Sequence, residues 1–275
     1  MANLTSSPTP RSGSLRSGSL RSGSLRSGKG SSDAADAADT LSAPSGEHRE
    51  ALEGDWLEMG QLQIGYLRAV GLQPEDTLLD IGCGPLRAGV HFVDFLDAGN
   101  YFGLEANLDY LTAGLEIELP LTRGANKLPG TNVRLTDSFD ATPFGTEFDM
   151  VLAHGLFPSL TLNEIRLCLF EAARVTTAGS RFFATFFEAP DSTLPADVLS
   201  HGPHNTTSVS APFHYRIADL ENAARGLGWK VDPVGEWGHP LGERLVCFRR
   251  LPTLLRSPRH PDASGARRMT KLWRR

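Results

Sequence analysis

The sequence predicts an α/β chain built on a doubly wound, mostly parallel sheet of seven strands that finishes in an antiparallel hairpin. Three observations carry this. Short apolar runs alternate with helical stretches between residues 51 and 250; the first run closes on a glycine-rich turn; and the last two runs are too close together for a crossover.

The elements follow in order. Leu52, Trp56, Met59, Leu62 (or Gln63) and Tyr66 recur near helical spacing, which predicts a helix over 51–70. The run Thr77-Leu78-Leu79-Asp80-Ile81 is the first strand and ends in Gly82-Cys83-Gly84. A helix over 87–97 leads to a strand at 100–105, and a helix over 108–118 leads to a strand at 132–137. A fourth strand is expected at 148–154. Thr161 and Glu164 have the spacing of a capping box, opening a helix with Leu162, Ile165, Leu169 and Ala172 or Ala173 on one face and Gly179 as its stop. The aromatic run 181–187 is the fifth strand. A helix over 219–227 then feeds a strand at 230–236. Only Trp237–Gly242 separates this from the last strand at 243–249, and six residues cannot carry a parallel crossover.

Charge divides the chain unevenly. Residues 51–250 hold 14 basic and 26 acidic side chains, a net of −12, whereas 251–275 carry +6 and 1–50 carry +1. An acidic core repels a phosphate backbone, so nucleic acid is an unfavourable partner for the main surface. No apolar run reaches the length of a membrane span, and no N-terminal segment has the pattern of a signal peptide. Cys83, Cys168 and Cys247 are far apart and odd in number, which fits a reducing, cytoplasmic setting and argues against a disulfide framework or a zinc site. Residues 11–28 repeat RSGSL, and arginines five apart spread around a helix rather than forming a stripe. The leader 1–50 and the Pro/Arg-rich end 251–275 are therefore expected to be flexible flanks of one domain, 51–250.

The glycine turn carries the functional signal. A dinucleotide fingerprint, G-x-G-x-x-G, fails here because Arg87 occupies the third glycine position. Glu105 ends the second strand 21 residues beyond Gly84, where a carboxylate can accept from both ribose hydroxyls. Asp137 and Ser138 end the third strand, placed to meet an adenine amino group. Acidic ends on three strands suit a nucleoside that carries positive charge and no pyrophosphate. S-adenosylmethionine, with its sulfonium and ammonium, is such a ligand.

At these residues the chain resembles a family. LLDIGCGPLRAG (78–89), YFGLEAN (101–107), TDSFD (136–140), FDMVLAHGLFPSL (148–160) and RFFATFFEAP (181–190) are similar, in order, to the motifs of class I S-adenosylmethionine-dependent methyltransferases. The resemblance covers about residues 55–250 and implies a Rossmann-like fold with S-adenosylmethionine as methyl donor. It places Asp80, Gly82 and Gly84 around the methionine moiety, Glu105 at the ribose, and Asp137 and Ser138 at the adenine, with Cys83 and Ala106 also among the cofactor-binding residues. Ala153 and His154 would face the sulfonium. One departure is Leu86, where many members carry glycine.

Methyl transfer is an in-line displacement, and a hydroxyl or carbon acceptor also has to lose a proton. The segment after strand four, His154-Gly-Leu-Phe-Pro158, lacks the Asn/Asp-Pro-Pro-aromatic signature of methyltransferases acting on nucleic-acid amino groups or on glutamine. This points to a small-molecule acceptor. His154 is the expected base because it ends strand four, with His214 and Tyr215 as further candidates in a lid insertion over 189–216. His201, His204 and His239 also fall in loops on the active face. His201-x-x-His204 lacks a third ligand nearby, so no metal is expected. Two other readings stay open: a module that binds S-adenosylmethionine without catalysis, and a nucleic-acid-associated protein using its basic ends.

Overall fold

The structure is a computed structural model describing residues 46–252; the RSGSL repeat, the segment 33–39 and residues 253–275 lie outside the described residues. In chain order the elements are α1 (Glu47–Glu50), α2 (Trp56–Ala69), β1 (Leu78–Ile81), α3 (Gly89–Phe95), β2 (Tyr101–Glu105), α4 (Leu108–Ala113), β3 (Val133–Leu135), β4 (Phe148–Ala153), α5 (Leu162–Arg174), β5 (Thr176–Glu188), β6 (Leu199–His201), β7 (His204–Thr206), β8 (His214–Tyr215), α6 (Ile217–Ala224), β9 (Trp229–Gly235) and β10 (Arg244–Arg250). Among the described residues no helix is long and apolar enough to cross a membrane.

The sheet runs β3-β2-β1-β4-β5-β10-β9. The first five of these strands are parallel neighbours, and β10 lies antiparallel between β5 and β9, as the short connection requires. The two-residue β8 adds an eighth, parallel strand beside the end of β5. Every residue of β1 and β2 is buried, as expected for strands covered by helices on both faces. Alternation along the strands divides the core into two layers. Leu79, Val151, Phe182, Val246 and Phe248 pack under α5 and α6, while Leu78, Leu152, Phe183, Leu245 and Cys247 pack under α2 and α3.

Several boundaries differ from the sequence reading. The domain starts before residue 51: in α1, His48 is buried and its Nε2 lies 2.6 Å from Glu118 Oε1, while Arg49 holds both Glu118 oxygens at 2.6 Å. Burial pushes the Glu118 carboxyl up, but the bonds from Arg49 and His48 outweigh it and hold the group below its ordinary value. Helix α2 starts at Trp56 because the Asp55 carboxylate accepts from the Glu58 amide at 2.8 Å and caps the helix there. The predicted helix 108–118 is α-helical only to Ala113 and then widens into a π turn over Gly114–Glu118. The Thr161/Glu164 capping box is formed. Gly179 is not the helix stop, however. Helix α5 ends at Arg174, and the β-branched run Val175-Thr176-Thr177 enters β5, where Gly179 takes φ +97° beside a register irregularity. The insertion 189–216 folds into the β6–β7 hairpin and returns through β8.

The position where relatives of the resembling family carry glycine explains a local arrangement. Leu86 adopts φ +60°, a left-handed conformation that glycine takes at no steric cost. Its side chain is fully buried, and two glycines make room for it. A Cβ on Gly89 would fall 2.8 Å from Leu86 Cδ2 and 2.6 Å from Tyr101 Oη; one on Gly114 would fall 2.8 Å from Leu86 Cγ. Gly89→Ala should therefore destabilise the fold by about 1–3 kcal/mol through overpacking, despite the better helix propensity of alanine. Gly65, exposed in α2 with open space at its Cβ position, is the opposite case, and Gly65→Ala should stabilise by about 0.5–1 kcal/mol. Denaturant melts of the two variants check both signs.

Candidate functional site

The strand order reverses at β1, which pairs with β2 on one side and β4 on the other. Crevices outside the carboxyl ends of strands at such a point are where open α/β sheets bind ligands. A cavity of about 680 Å³ lies there, and Asp80, Gly82, Cys83, Gly84, Glu105, Ala106, Asp137 and His154 all line it.

Glu105 organises one half of this cavity. Its Oε2 accepts from the Gly84 amide at 2.8 Å, and its Oε1 accepts from the Ala106 and Asn107 amides at 2.9 and 2.8 Å. One buried carboxylate thus ties the turn after β1 to the turn after β2. Gly82 and Gly84 take φ +75° and +56°, and the Cβ position of Gly84 faces open space, so the backbone itself is the wall there. Asp80 is buried and accepts from the Tyr101 hydroxyl at 2.9 Å. Burial drives its carboxyl up to about 7, against the Tyr101 bond and helped by the Glu105 charge. Burial likewise pushes the Cys83 thiol well above its ordinary value, which makes it an inert wall rather than a nucleophile.

The other half is built by the end of β4 and the β9–β10 loop. His154 Nε2 lies 3.2 Å from His239 Nε2, and His239 Nδ1 accepts from the Glu243 amide at 3.3 Å. Since Nδ1 of His239 is an acceptor, its proton is on Nε2 and points at His154 Nε2; this assigns the His154 proton to Nδ1. Both rings are neutral: burial, the neighbouring imidazole and Arg87 hold His154 well below its ordinary value, and burial with Arg87 holds His239 at about 4. Trp237 lies against His239, with centroids 5.5 Å apart, and its indole N–H donates to the Glu243 carbonyl at 3.1 Å.

The remaining predicted residues separate from this cavity. Ser138 is exposed and bonds Thr136 Oγ1 at 2.9 Å, and Ala153 is fully buried in the core; neither lines the cavity. His214 and Tyr215 are buried beside a different hollow, under the insertion. The His214 ring is held at 2.9 Å by Thr206 Oγ1, and the Tyr215 hydroxyl donates to the Leu160 carbonyl. The structure therefore does not bring these two together with His154. The reason is local: β8 pairs with the end of β5 and carries both side chains into the packing beneath the insertion.

Among the lining residues not singled out as site residues are Phe139, Arg87, His239 and Glu243. Phe139 is held at φ +60°, an uncommon conformation for an aromatic residue, and stands in the cavity wall. Arg87, which broke the dinucleotide fingerprint, reaches across to the Glu53 carbonyl at 2.7 Å. His239 carried a weak signal as a loop histidine. Glu243 carried none, because nothing in its local sequence shows that the hairpin folds back over the strand ends.

No protein-family model matches the sequence. Solved structures do resemble it. The CcbJ methyltransferase from Streptomyces caelestis aligns over 74% of this chain and 95% of that one at 14% identity, with a TM-score of 0.56. Magnesium protoporphyrin IX methyltransferase from Synechocystis PCC 6803, with S-adenosylmethionine bound, aligns over 74% and 89% at 14% identity and a TM-score of 0.52. An amino pentose methyltransferase from Micromonospora echinaspora aligns over 72% and 92% at 16% identity and a TM-score of 0.52. The chain has the class I methyltransferase fold. Within that fold the cavity sits at the strand ends, with the acidic ends of β1 and β2 in one half and the His154–His239 pair in the other.

Glu243 yields a test of the site's electrostatics. Burial drives its carboxyl up to about 7, against the Thr185 hydroxyl and the Arg87 charge, and its Oε2 is shielded from solvent with no hydrogen-bond partner. A folded value above the free-chain 4.5 means this group's contribution to stability is full below about pH 4.5 and is lost as pH rises through 7. Glu243→Gln, neutral at every pH, should be more stable than the wild type by about 1–3 kcal/mol at pH 8, with the gap closing toward pH 4. Denaturant melts at the two pH values measure it.

Proposed function

We propose that the protein is a methyltransferase that transfers the methyl group of S-adenosylmethionine to a small-molecule acceptor. The observation that carries this reading is the Glu105 carboxylate: buried at the switch point, anchored by three backbone amides, and set beside a glycine wall that is open to the cavity. The residues present fit that donor. Glu105 retains a lone-pair site, on Oε2, to accept from a ribose hydroxyl. Phe139 offers a ring face to a purine beside Asp137, and the Gly82–Gly84 backbone with Asp80 offers acceptors and room to the amino-acid end. No phosphate-binding glycine follows, since Leu86 and Arg87 fill those positions. Neighbours of the same fold crystallised with this donor support the assignment.

S-adenosylmethionine supplies an activated methyl group on a sulfonium. The protein's own part is to orient the acceptor and exclude water, which supplies most of the rate in such a displacement. His154 stands at the end of β4, between the cofactor half and the acceptor half. We assign it to the acceptor: with His239 fixing its tautomer, Nδ1–H is the hydrogen-bond donor, and Nε2 acts as base only once it exchanges the His239 bond for the acceptor's proton. A positive sulfonium nearby favours the neutral ring further.

Two measurements test the assignment. Glu105→Gln should weaken S-adenosylmethionine by about 1.5–3 kcal/mol in calorimetry, the usual worth of hydrogen bonds to a charged group. Tight NAD binding, or unchanged affinity in the variant, contradicts it. His154→Ala should lower turnover by about 10²–10⁴ with cofactor affinity nearly intact, and His154→Asn should fail to restore the rate if the ring takes a proton. Full activity in both variants would remove His154 from the chemistry.

A further inference from the structure

A second cavity, of about 640 Å³, lies behind the β9–β10 loop, and His239 and Glu243 line both it and the first one. The two residues thus stand where the cavities meet. The second cavity is acidic. Its lining carries the carboxylates of Glu188, Glu236 and Glu243 against the single guanidinium of Arg244. That guanidinium is already committed, at 2.7 Å to Glu236 and 3.7 Å to Glu188. Glu243 is left over. Its Oε2 is shielded from solvent and accepts no hydrogen bond. A buried carboxylate oxygen without a donor is costly unless a ligand supplies one. Trp237 contributes an aromatic face to the same lining, a surface that attracts cations as well as apolar groups.

We propose that the acceptor is a small-molecule amine, taken up through this second cavity with its nitrogen on the Glu243 carboxyl. The inference rests on the methyl-transfer reading and narrows its acceptor class. An alcohol also donates a hydrogen bond, but it brings no positive charge to a lining that holds three carboxylates and one guanidinium. A carboxylate acceptor would be repelled. The step balances without a further reactant. The ammonium gives its proton to Glu243, breaking N–H and forming O–H; the freed lone pair forms the N–C bond to the methyl group; the electron pair of the broken S–C bond stays on sulfur. The product leaves as a methylated ammonium ion. His154 and His239, both neutral, border this path without adding a competing cation.

The test uses benzylamine, benzyl alcohol and benzoate as probes of matched size. Their binding to the full chain at pH 8 is measured by ligand-observed NMR, with and without S-adenosylhomocysteine. Benzylamine should bind at least about tenfold more tightly than either other probe, and Glu243→Gln should weaken it by about tenfold or more. S-adenosylhomocysteine affinity should fall by much less than benzylamine affinity in that variant, because Glu243 lies in the half of the first cavity away from Glu105. Benzyl alcohol or benzoate binding as well as benzylamine, no benzylamine binding, or unchanged benzylamine affinity in Glu243→Gln would each overturn the proposal. Failure of the methyl-transfer reading is read separately: the wild type would then not bind S-adenosylhomocysteine, whatever the amine does.

Discussion

The Glu105 carboxylate is the interaction on which the site depends. Two turns that follow different strands, at Gly84 and at Ala106–Asn107, are held together because their amides converge on one buried acceptor. Hydrogen bonds from neutral donors to a charged group are roughly twice as strong as neutral ones, and here three of them join two turns at the cavity. The same side chain is the one the cofactor assignment needs. On the proposed assignment, structure and binding use a single carboxylate, and replacing it touches both.

Behind that carboxylate the packing is equally specific. Asp80, Tyr101, Leu86 and Gly89 form one compact group: the Tyr101 hydroxyl bonds Asp80, and Gly89 leaves the space that Tyr101 and Leu86 fill. Leu86 takes a left-handed backbone conformation, which costs on the order of 1–3 kcal/mol. Full burial of its side chain offsets that cost. The glycine-rich turn is thus kept in shape by a leucine that the glycines on either side accommodate.

Much of this was legible in the sequence. The seven strands, the antiparallel end and the capping box of α5 follow from periodicity, loop length and local capping chemistry, all of which act over a few residues. Asp80, Gly82, Gly84, Glu105 and Asp137 could be placed because strand ends in a parallel sheet share one edge. What could not be read depended on contacts distant in sequence. Phe139 is recruited by an unusual backbone angle, and His239 and Glu243 by a hairpin folding back across 85 residues or more to reach His154 and Arg87. His214 and Tyr215 illustrate the reverse. Their loop position and aromatic context suggested chemistry, but pairing of β8 with β5 buries them in a separate hollow.

The central claim is that the cavity at the ends of β1, β2 and β4 holds S-adenosylmethionine through Glu105. A crystal structure of the protein grown with S-adenosylhomocysteine tests it most directly. The account predicts ligand density along that cavity, with a ribose hydroxyl on Glu105, the purine between Phe139 and Asp137, and the sulfur on the side of His154. Density elsewhere, or a ribose that leaves Glu105 untouched, would contradict it.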